Sequence, residues 1–295
     1  MKILVIGSEG FIGQYLIRDL KAAGHEIAGF DLCPGDAGKS GYRFIKGNLL
    51  NHEALKAAVT GCDLVVNLAA KHHDFGVSRE EFFQINEEGT RVMLEVMAEA
   101  GIHRFVFFSS VAVYGDVDGE SSELTPPDPC NDYGASKLAG ERLIQDWAKG
   151  NHLREVLIIR PVVVYGPHNF ANMFRLMDHI YRRRFLMVGR GDNIKSTAYV
   201  ENLTAAAVFM IQRLRPGLEV VNYSDIPHRT SLEIANGICQ ALGRGPVRFH
   251  FPLGLAAALA CPLDIMARIL KKNLPVTSLR IKKFAQINTR HGSSR

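Results

Sequence analysis

Apolar positions follow two rhythms through the first two-thirds of the chain. Short unbroken runs, Ile3-Leu4-Val5-Ile6 first among them, have the continuous apolar character of strands buried on both faces. Between such runs the spacing changes: Phe11, Ile12, Leu16, Ile17 and Leu20 recur at helical intervals. Read in order, the runs predict strands over 3–6, 26–30, 42–46, 63–68, 104–109 and 156–159. Amphipathic stretches predict helices over 11–20, 53–59, 79–100 and 133–149. This alternation predicts an α/β fold, a doubly wound parallel sheet with helices on both faces. From Pro167 the pattern loosens. Helices are expected over 172–183, 201–214 and 231–242, the last opened by Ser231-Leu232-Glu233, with one further sheet strand over 218–222. The expected division is a main domain over 1–166 with a return segment near 196–222. A smaller C-terminal lobe takes 167–195 and 223–295.

The first strand–turn–helix carries the first chemistry. Gly7 permits a tight turn, Gly10 lets backbone approach a pyrophosphate, and Gly13 lets the helix pack closely. The helix then opens its free N–H groups at Phe11 and Ile12 towards phosphate. Asp31, at the tip of the second strand, is placed to accept from a ribose 2′-hydroxyl. A carboxylate there repels a 2′-phosphate, and no arginine lies between Asp31 and Gly41 to hold one. NAD is therefore expected in preference to NADP.

Composition narrows the class. With 295 residues, 47% of them hydrophobic, the chain can bury a large core. The net charge of +5 comes without aromatics interleaved among basic runs, which argues against a nucleic-acid partner. Five cysteines with no C-x-x-C pair argue against a zinc site or disulfide framework and for a reducing cytoplasm. The sequence opens on a core strand, so no cleavable signal is expected, and no run reaches the roughly 18 apolar residues of a spanning helix.

After the fifth strand comes Ser109-Ser110-Val111-Ala112-Val113-Tyr114-Gly115. A proline-rich loop then leads to Tyr133-Gly134-Ala135-Ser136-Lys137. Tyr133 and Lys137 are four apart and share one helical face. An ammonium beside a phenol, near a cationic nicotinamide, favours the phenolate. Such a tyrosine can take a proton from a substrate hydroxyl while hydride leaves the same carbon, with a serine hydroxyl holding the oxygen. Tyr-x-x-x-Lys alone is weak evidence, since it is equally a solvated helix end.

Taken together the motifs are specific. Gly7, Gly10, Gly13, Asp31, Asn67-Leu68-Ala69-Ala70, Asn86 with Gly89-Thr90, Ser110 to Gly115, Tyr133 with Lys137, and Arg160-Pro161 through Tyr165-Gly166-Pro167 stand in order over the first 225 or so residues. In these the sequence resembles the extended short-chain dehydrogenase/reductase family, which includes the nucleotide-sugar epimerases and dehydratases. The resemblance implies a Rossmann domain and a substrate lobe. It gives Ser110 as the hydroxyl, with Ser109 the alternative, Tyr133 as acid/base and Lys137 as its electrostatic partner. Asn48, Leu49, Leu68, Ala69, Ala70, Asn86, Pro161 and Val163 would then line or support the cofactor. Lys195 would meet a substrate diphosphate, or else be a surface lysine. Asn48 stands where the family usually has an aspartate near the adenine, and Val163 where many epimerases carry an asparagine. Val111 and Ala112 replace the acid pair of the 4,6-dehydratases, which removes dehydration. The expected activity is 4-epimerisation of a UDP-sugar by transient C4 oxidation. A net dehydrogenase or ketoreductase acting on a keto sugar or a steroid-like alcohol is the second reading, and a non-catalytic NAD-binding scaffold the third. A homodimer paired through 79–100 and 133–149 is implied by relatives.

Three further stretches were weighed for function. Lys71-His72-His73-Asp74 lacks metal-ligand spacing and reads as a loop at the mouth of the site. Arg182-Arg183-Arg184 reads as a solvated helix end more than as a diphosphate clamp. The apolar stretch 252–272 closes on Arg268, Lys271 and Lys272. It is expected either to pack on the lobe or a neighbouring subunit, or to make weak peripheral contact with a membrane.

Overall fold

The computed structural model describes residues 1–34, 41–72, 76–117, 119–256, 258–259 and the backbone of 290–291. The strands are β1 Lys2–Ile6, β2 Glu26–Asp31, β3 Arg43–Lys46, β4 Leu64–Asn67, β5 Arg104–Phe108, β6 Glu120–Ser121, β7 Glu155–Pro161 and β8 Val163–Tyr165. They continue with β9 Met187–Val188, β10 Ile194–Lys195, β11 Thr197–Tyr199, β12 Gly217–Tyr223, β13 Arg229–Thr230, β14 His250–Phe251 and β15 Arg290–His291. The helices are α1 Phe11–Ala22, α2 His52–Val59, α3 Arg79–Phe83, α4 Gly89–Glu99, α5 Asp132–Lys149, α6 Asn172–Tyr181, α7 Val200–Ile211 and α8 Ser231–Ala241.

Seven strands form one parallel sheet in the order β12-β7-β5-β4-β1-β2-β3. The unbroken apolar runs divide by alternation. Leu4 and Ile6 of β1 join Val65, Phe105 and Ile158 on the face covered by α2, α4 and α5, through Leu55, Met93 and Ile144. Ile3 and Val5 join Leu64, Val106 and Ile159 on the other, covered by Leu16 and Leu20 of α1 and Leu203 and Ala207 of α7. Strands buried on both faces need apolar residues at every position, which is what the runs supply. The chain order reverses at β1, so the connections after β1 and β4 run to opposite faces of the sheet and leave between them the crevice where such sheets bind ligands.

The 79–100 stretch differs from the single helix its periodicity predicts. Ser78 caps α3 in a reciprocal capping box with Glu81, but a π-helical turn over Gln84–Glu88 separates α3 from α4. The helix expected over 231–242 is α8, Ser231–Ala241, and its cap is Thr230, which boxes with Glu233.

α7 packs on α1, and β12 lies beside β7. Arg18 bonds Glu201 at 2.8 Å, and the Thr204 hydroxyl donates to Asp19 at 2.5 Å. Beyond the sheet, α6, α8 and short strand pairs enclose a separate small core of Ile180, Met187, Ala235 and Cys239.

Candidate active site

The glycine turn sits at the carboxyl end of β1. Gly7 has φ +81°, and a Cβ there would lie 2.7 Å from the Ala69 nitrogen, so the turn presses on the loop after β4. A Cβ on Gly13 would come within 2.2 Å of the Gly7 carbonyl oxygen. The third glycine thus clears the turn itself, where the sequence suggested close packing on the strand. Gly10 caps α1 without a side-chain hydrogen bond, leaving the first-turn amides of Phe11, Ile12 and Gly13 without a capping side chain. Asp31 Oδ2 accepts from the Glu9 amide at 3.0 Å and Oδ1 from the Leu32 amide at 2.7 Å, which holds the carboxylate over the turn with acceptor capacity left. Glu9 adds a second carboxylate here, bonded by the Tyr42 hydroxyl. Burial, then the Glu9 hydrogen bond, pushes the Tyr42 phenol above its ordinary range. Two acids at the rim strengthen the argument against a 2′-phosphate.

Among the described residues, seven buried side-chain polar atoms have no hydrogen-bond partner, and three of them belong to this crevice: Asn67 Nδ2, Ser109 Oγ and Lys137 Nζ. Asn67 pairs with Phe107 across β4 and β5, Ser109 follows two residues on, and Lys137 Nζ lies 4.0 Å from the Phe107 ring centre. Such atoms are costly unless something polar joins them. With the open helix end and Asp31, they make a cradle that suits a dinucleotide.

Tyr133 and Lys137 lie on the first two turns of α5, which Asn131 starts by accepting from the Gly134 amide at 2.7 Å. Tyr133 is half-buried with its ring 6.2 Å from Phe82, while Lys137 is fully buried. Ser110 is half-exposed at the start of a short 3₁₀ turn, its Oγ accepting from the Ala112 amide at 3.2 Å; Ser109 beside it is buried. Asn86, on the π-helical turn, spends its side chain on protein. Its Oδ1 accepts from the Lys71 amide at 2.9 Å, and its Nδ2 donates to the Lys71 carbonyl and to Ser136 Oγ. Ser136 in turn donates to the Tyr133 carbonyl at 2.8 Å. Asn86 therefore ties the loop after β4 to the helix bearing Tyr133 and Lys137. Leu49 is also committed to protein: it is a core residue packed on Gly89. Asn48 is exposed and accepts from the Leu50 amide at 3.0 Å.

Behind α5 is a buried network that sequence reasoning did not find. The Arg160 guanidinium grips both oxygens of Glu141, with Nε to Oε1 at 2.9 Å. It also donates to the Tyr114 hydroxyl at 2.7 Å, which donates to Asn222 at 2.8 Å. Lys137 and Glu141 are one turn apart on the buried face of α5, which was the available signal.

At the other side of the crevice Pro161 is buried at the end of β7 and Val163 is 54% exposed. Thr197 pairs with Val163, and Lys195 stands two residues before it, directly opposite Arg229 in the β10–β13 ribbon. Arg229 lines a cleft of 620 Å³ together with Tyr165, Met173, Met177, Thr197 and Glu233.

The profile of the NAD dependent epimerase/dehydratase family matches residues 3–223, a span that takes in every motif described above. The chain belongs to that family. Among its relatives is N-acetyl-alpha-D-glucosaminyl-diphospho-ditrans,octacis-undecaprenol 4-epimerase of Escherichia coli O157:H7. It is 35% identical over 286 residues, covering 96% of this chain and 85% of the relative. Two solved structures share the fold. UDP-glucuronic acid 4-epimerase from Bacillus cereus in complex with NAD is 26% identical, with TM-score 0.74 over 85% of this chain and 88% of that one. MoeE5 in complex with UDP-glucose and NAD is 27% identical, with TM-score 0.75 over 85% of each chain. The fold, the NAD dependence and the enzymatic nature of the family agree with the glycine turn and Asp31.

Within this family member, Lys137 gives a test of the cofactor-free site. Burial pushes its ammonium down to about 7, with Glu141 partly opposing the shift. Between about pH 7 and the ordinary lysine value, the unfolded chain holds a proton that the folded chain lacks, so stability rises with pH across that window. Below it both states are protonated and the full burial penalty applies. Thermal melts of cofactor-free protein should show this climb, and Lys137→Met should flatten it. Parallel pH profiles for the two proteins would contradict the buried, uncharged lysine.

Proposed function

We propose that this chain is an NAD-dependent epimerase that inverts C4 of a hexose carried on a diphosphate, with a UDP-sugar as the first candidate. What supports the proposal is the dinucleotide cradle at the carboxyl ends of β1, β4 and β5, together with the packing of Gly134, next to Tyr133, on the carbonyl of Ala112, whose amide donates to Ser110. NAD, held by the Gly7–Gly13 turn and Asp31, would supply a reversible two-electron acceptor for the C4 hydride. The Tyr133 phenolate takes the C4 hydroxyl proton, and the Ser110 hydroxyl donates to the oxygen as it becomes a carbonyl. Lys137, four residues on, offers positive charge to the phenolate. Once the keto sugar has turned over in the pocket, the hydride would return to the opposite face of C4 while Tyr133 gives the proton back to the C4 oxygen. Val111 and Ala112 offer no acid for water elimination, so the cycle closes without dehydration.

The carrier beyond the diphosphate has two sources. The Bacillus cereus enzyme and MoeE5 are solved with NAD, MoeE5 also with UDP-glucose, whereas the Escherichia coli relative acts by name on a polyprenol-linked sugar. Both carriers present a hexosyl diphosphate. Lys195 and Arg229 are cross-strand partners of like charge, a pair that an anionic group could share, and burial pulls the Lys195 ammonium below its ordinary range. Lys195→Ala or Arg229→Ala should therefore raise KM about tenfold or more with a smaller change in kcat. A change in kcat alone would remove the diphosphate from this ribbon. Screening UDP-, GDP- and dTDP-hexoses and a polyprenyl diphospho-hexose by NMR without added NAD tests the activity. Inversion at C4 on one carrier supports it. Stoichiometric NADH release would favour the net dehydrogenase. The proposal extends to a cytoplasmic homodimer paired through α4 and α5, which sedimentation would test.

A further inference from the structure

The outer face of the small lobe has features that the reaction does not use. Phe170, Phe174 and Tyr181 are set in a stripe along α6 and the residues just before it, beside Met177, which also lines the cleft at Arg229. All are exposed, Phe170 at 68% and Tyr181 at 63%. The opposite side of the same helix holds Leu176 and Ile180 in the small core. Phe170 and Phe174 stack on each other edge to face, 5.0 Å apart, outside that core. The stripe continues onto neighbouring chain. Arg244 donates to the carbonyls of Ile180 and Tyr181, fixing the 244 segment against the end of α6. Pairing of His250 with Met187 sets Phe249 beside Leu186, and both are exposed. Leu255 and Leu259, one turn apart in the helical stretch that follows, are also exposed, Leu259 at 70%.

Charge on this face has one sign. Residues 170–190 and 242–259 contain seven arginines (175, 182, 183, 184, 190, 244 and 248) and a single acid, Asp178. Asp178 is already paired with Arg182 at 2.8 Å. Arg182, Arg183 and Arg184 are all exposed at the end of the aromatic stripe. Aromatic and aliphatic side chains bordered by arginines, without acids, match an interface where rings enter the acyl boundary and guanidiniums meet anionic headgroups. A second copy placed face to face would bring two sets of arginines into one contact, with Asp178 the one acid in these segments.

We propose that this face, α6 with the 182–186 and 244–259 segments, docks peripherally on an anionic phospholipid bilayer. The proposal is independent of which carrier bears the hexose. No helix among the described residues is long and apolar enough to cross a membrane, so the contact is with the surface. It enlarges the membrane contact read from 252–272, of which 257 and 260–272 lie outside the described residues, and it gives Arg182-Arg183-Arg184 a role beyond a solvated helix end.

Flotation of the full chain with phosphatidylcholine vesicles, with and without phosphatidylglycerol, tests it at low and high salt. The protein should float only with the anionic vesicles and release at high salt. Changing Arg182, Arg183 and Arg184 together to Ala should weaken binding about a hundredfold. Phe174→Ser with Tyr181→Ser should weaken it with less effect on salt dependence. Unchanged melting temperature and NAD binding would show that the variants fold; Phe170→Ser with Tyr181→Ser is the alternative pair if one does not. Failure of the unmodified protein to float with anionic vesicles would overturn the proposal. So would equal flotation with neutral ones, or variants that bind as well as the parent. Self-association lost in the variants, with no vesicle binding, would assign the face to a second copy instead.

Discussion

Replacing Tyr133 by Phe should lower turnover by about a thousandfold or more while leaving the protein folded and NAD bound. The substitution removes one oxygen and keeps the ring that packs near Phe82 at 6.2 Å. The backbone at 133 is held by other groups: Ser136 donates to its carbonyl, and Asn86 bridges Ser136 to the Lys71 loop. The dinucleotide cradle at Gly7 to Gly13 and Asp31 is untouched. What is lost is the group that takes and returns the C4 proton, and neither Ser110 nor buried Lys137 stands in the same position on α5. The check is kcat on the best substrate from the carrier screen, beside NAD content of the purified protein. Activity within a few-fold of the parent would remove Tyr133 from the chemistry.

The second large effect concerns stability. Glu141→Ala should cost about 3–5 kcal/mol, a large share of the 5–15 kcal/mol typical of a folded domain. The loss follows from what remains: the Arg160 side chain is 4% exposed and would keep its charge with only the Tyr114 hydroxyl as partner. The pair itself contributes much less than its rupture costs, because both charges lose their hydration on burial. Glu141→Leu with Arg160→Met should therefore recover most of the loss. Denaturant midpoints for the single and double variants measure this directly. A single variant within about 1 kcal/mol of the parent would mean that water or another group reaches Arg160.

Much of the fold was legible because it depends on local pattern. Ile3 to Ile6 had to be buried on both faces, and they are, Ile3 and Val5 to one side and Leu4 and Ile6 to the other. The glycine turn and Asp31 were also readable, since sterics and charge at adjacent positions dictate them. What escaped depends on contacts distant in sequence. The pairing of Arg160 with Glu141 joins β7 to α5; the one-turn spacing of Glu141 from Lys137 marks a buried acid without naming its partner. The π-helical turn at Gln84–Glu88 was hidden because one extra residue barely disturbs an apolar period read over 79–100. Glu9 carries no signal of its own in the turn, yet the Tyr42 hydroxyl reaches it from just before β3, over Gly29 of β2. The aromatic stripe on α6 is periodic in sequence, but periodicity alone does not tell which apolar side faces the core.

The most direct measurement follows one hydrogen. Hexosyl diphosphates on both carriers, UDP and polyprenyl, can be labelled with deuterium at C4 and incubated with the purified protein without added NAD. The C4 epimer should form from one carrier with the deuterium still at C4, because the same hydride returns to the carbon it left. Deuterium recovered in free NADH, or no C4 epimer from either carrier, would contradict a tyrosine-driven 4-epimerase.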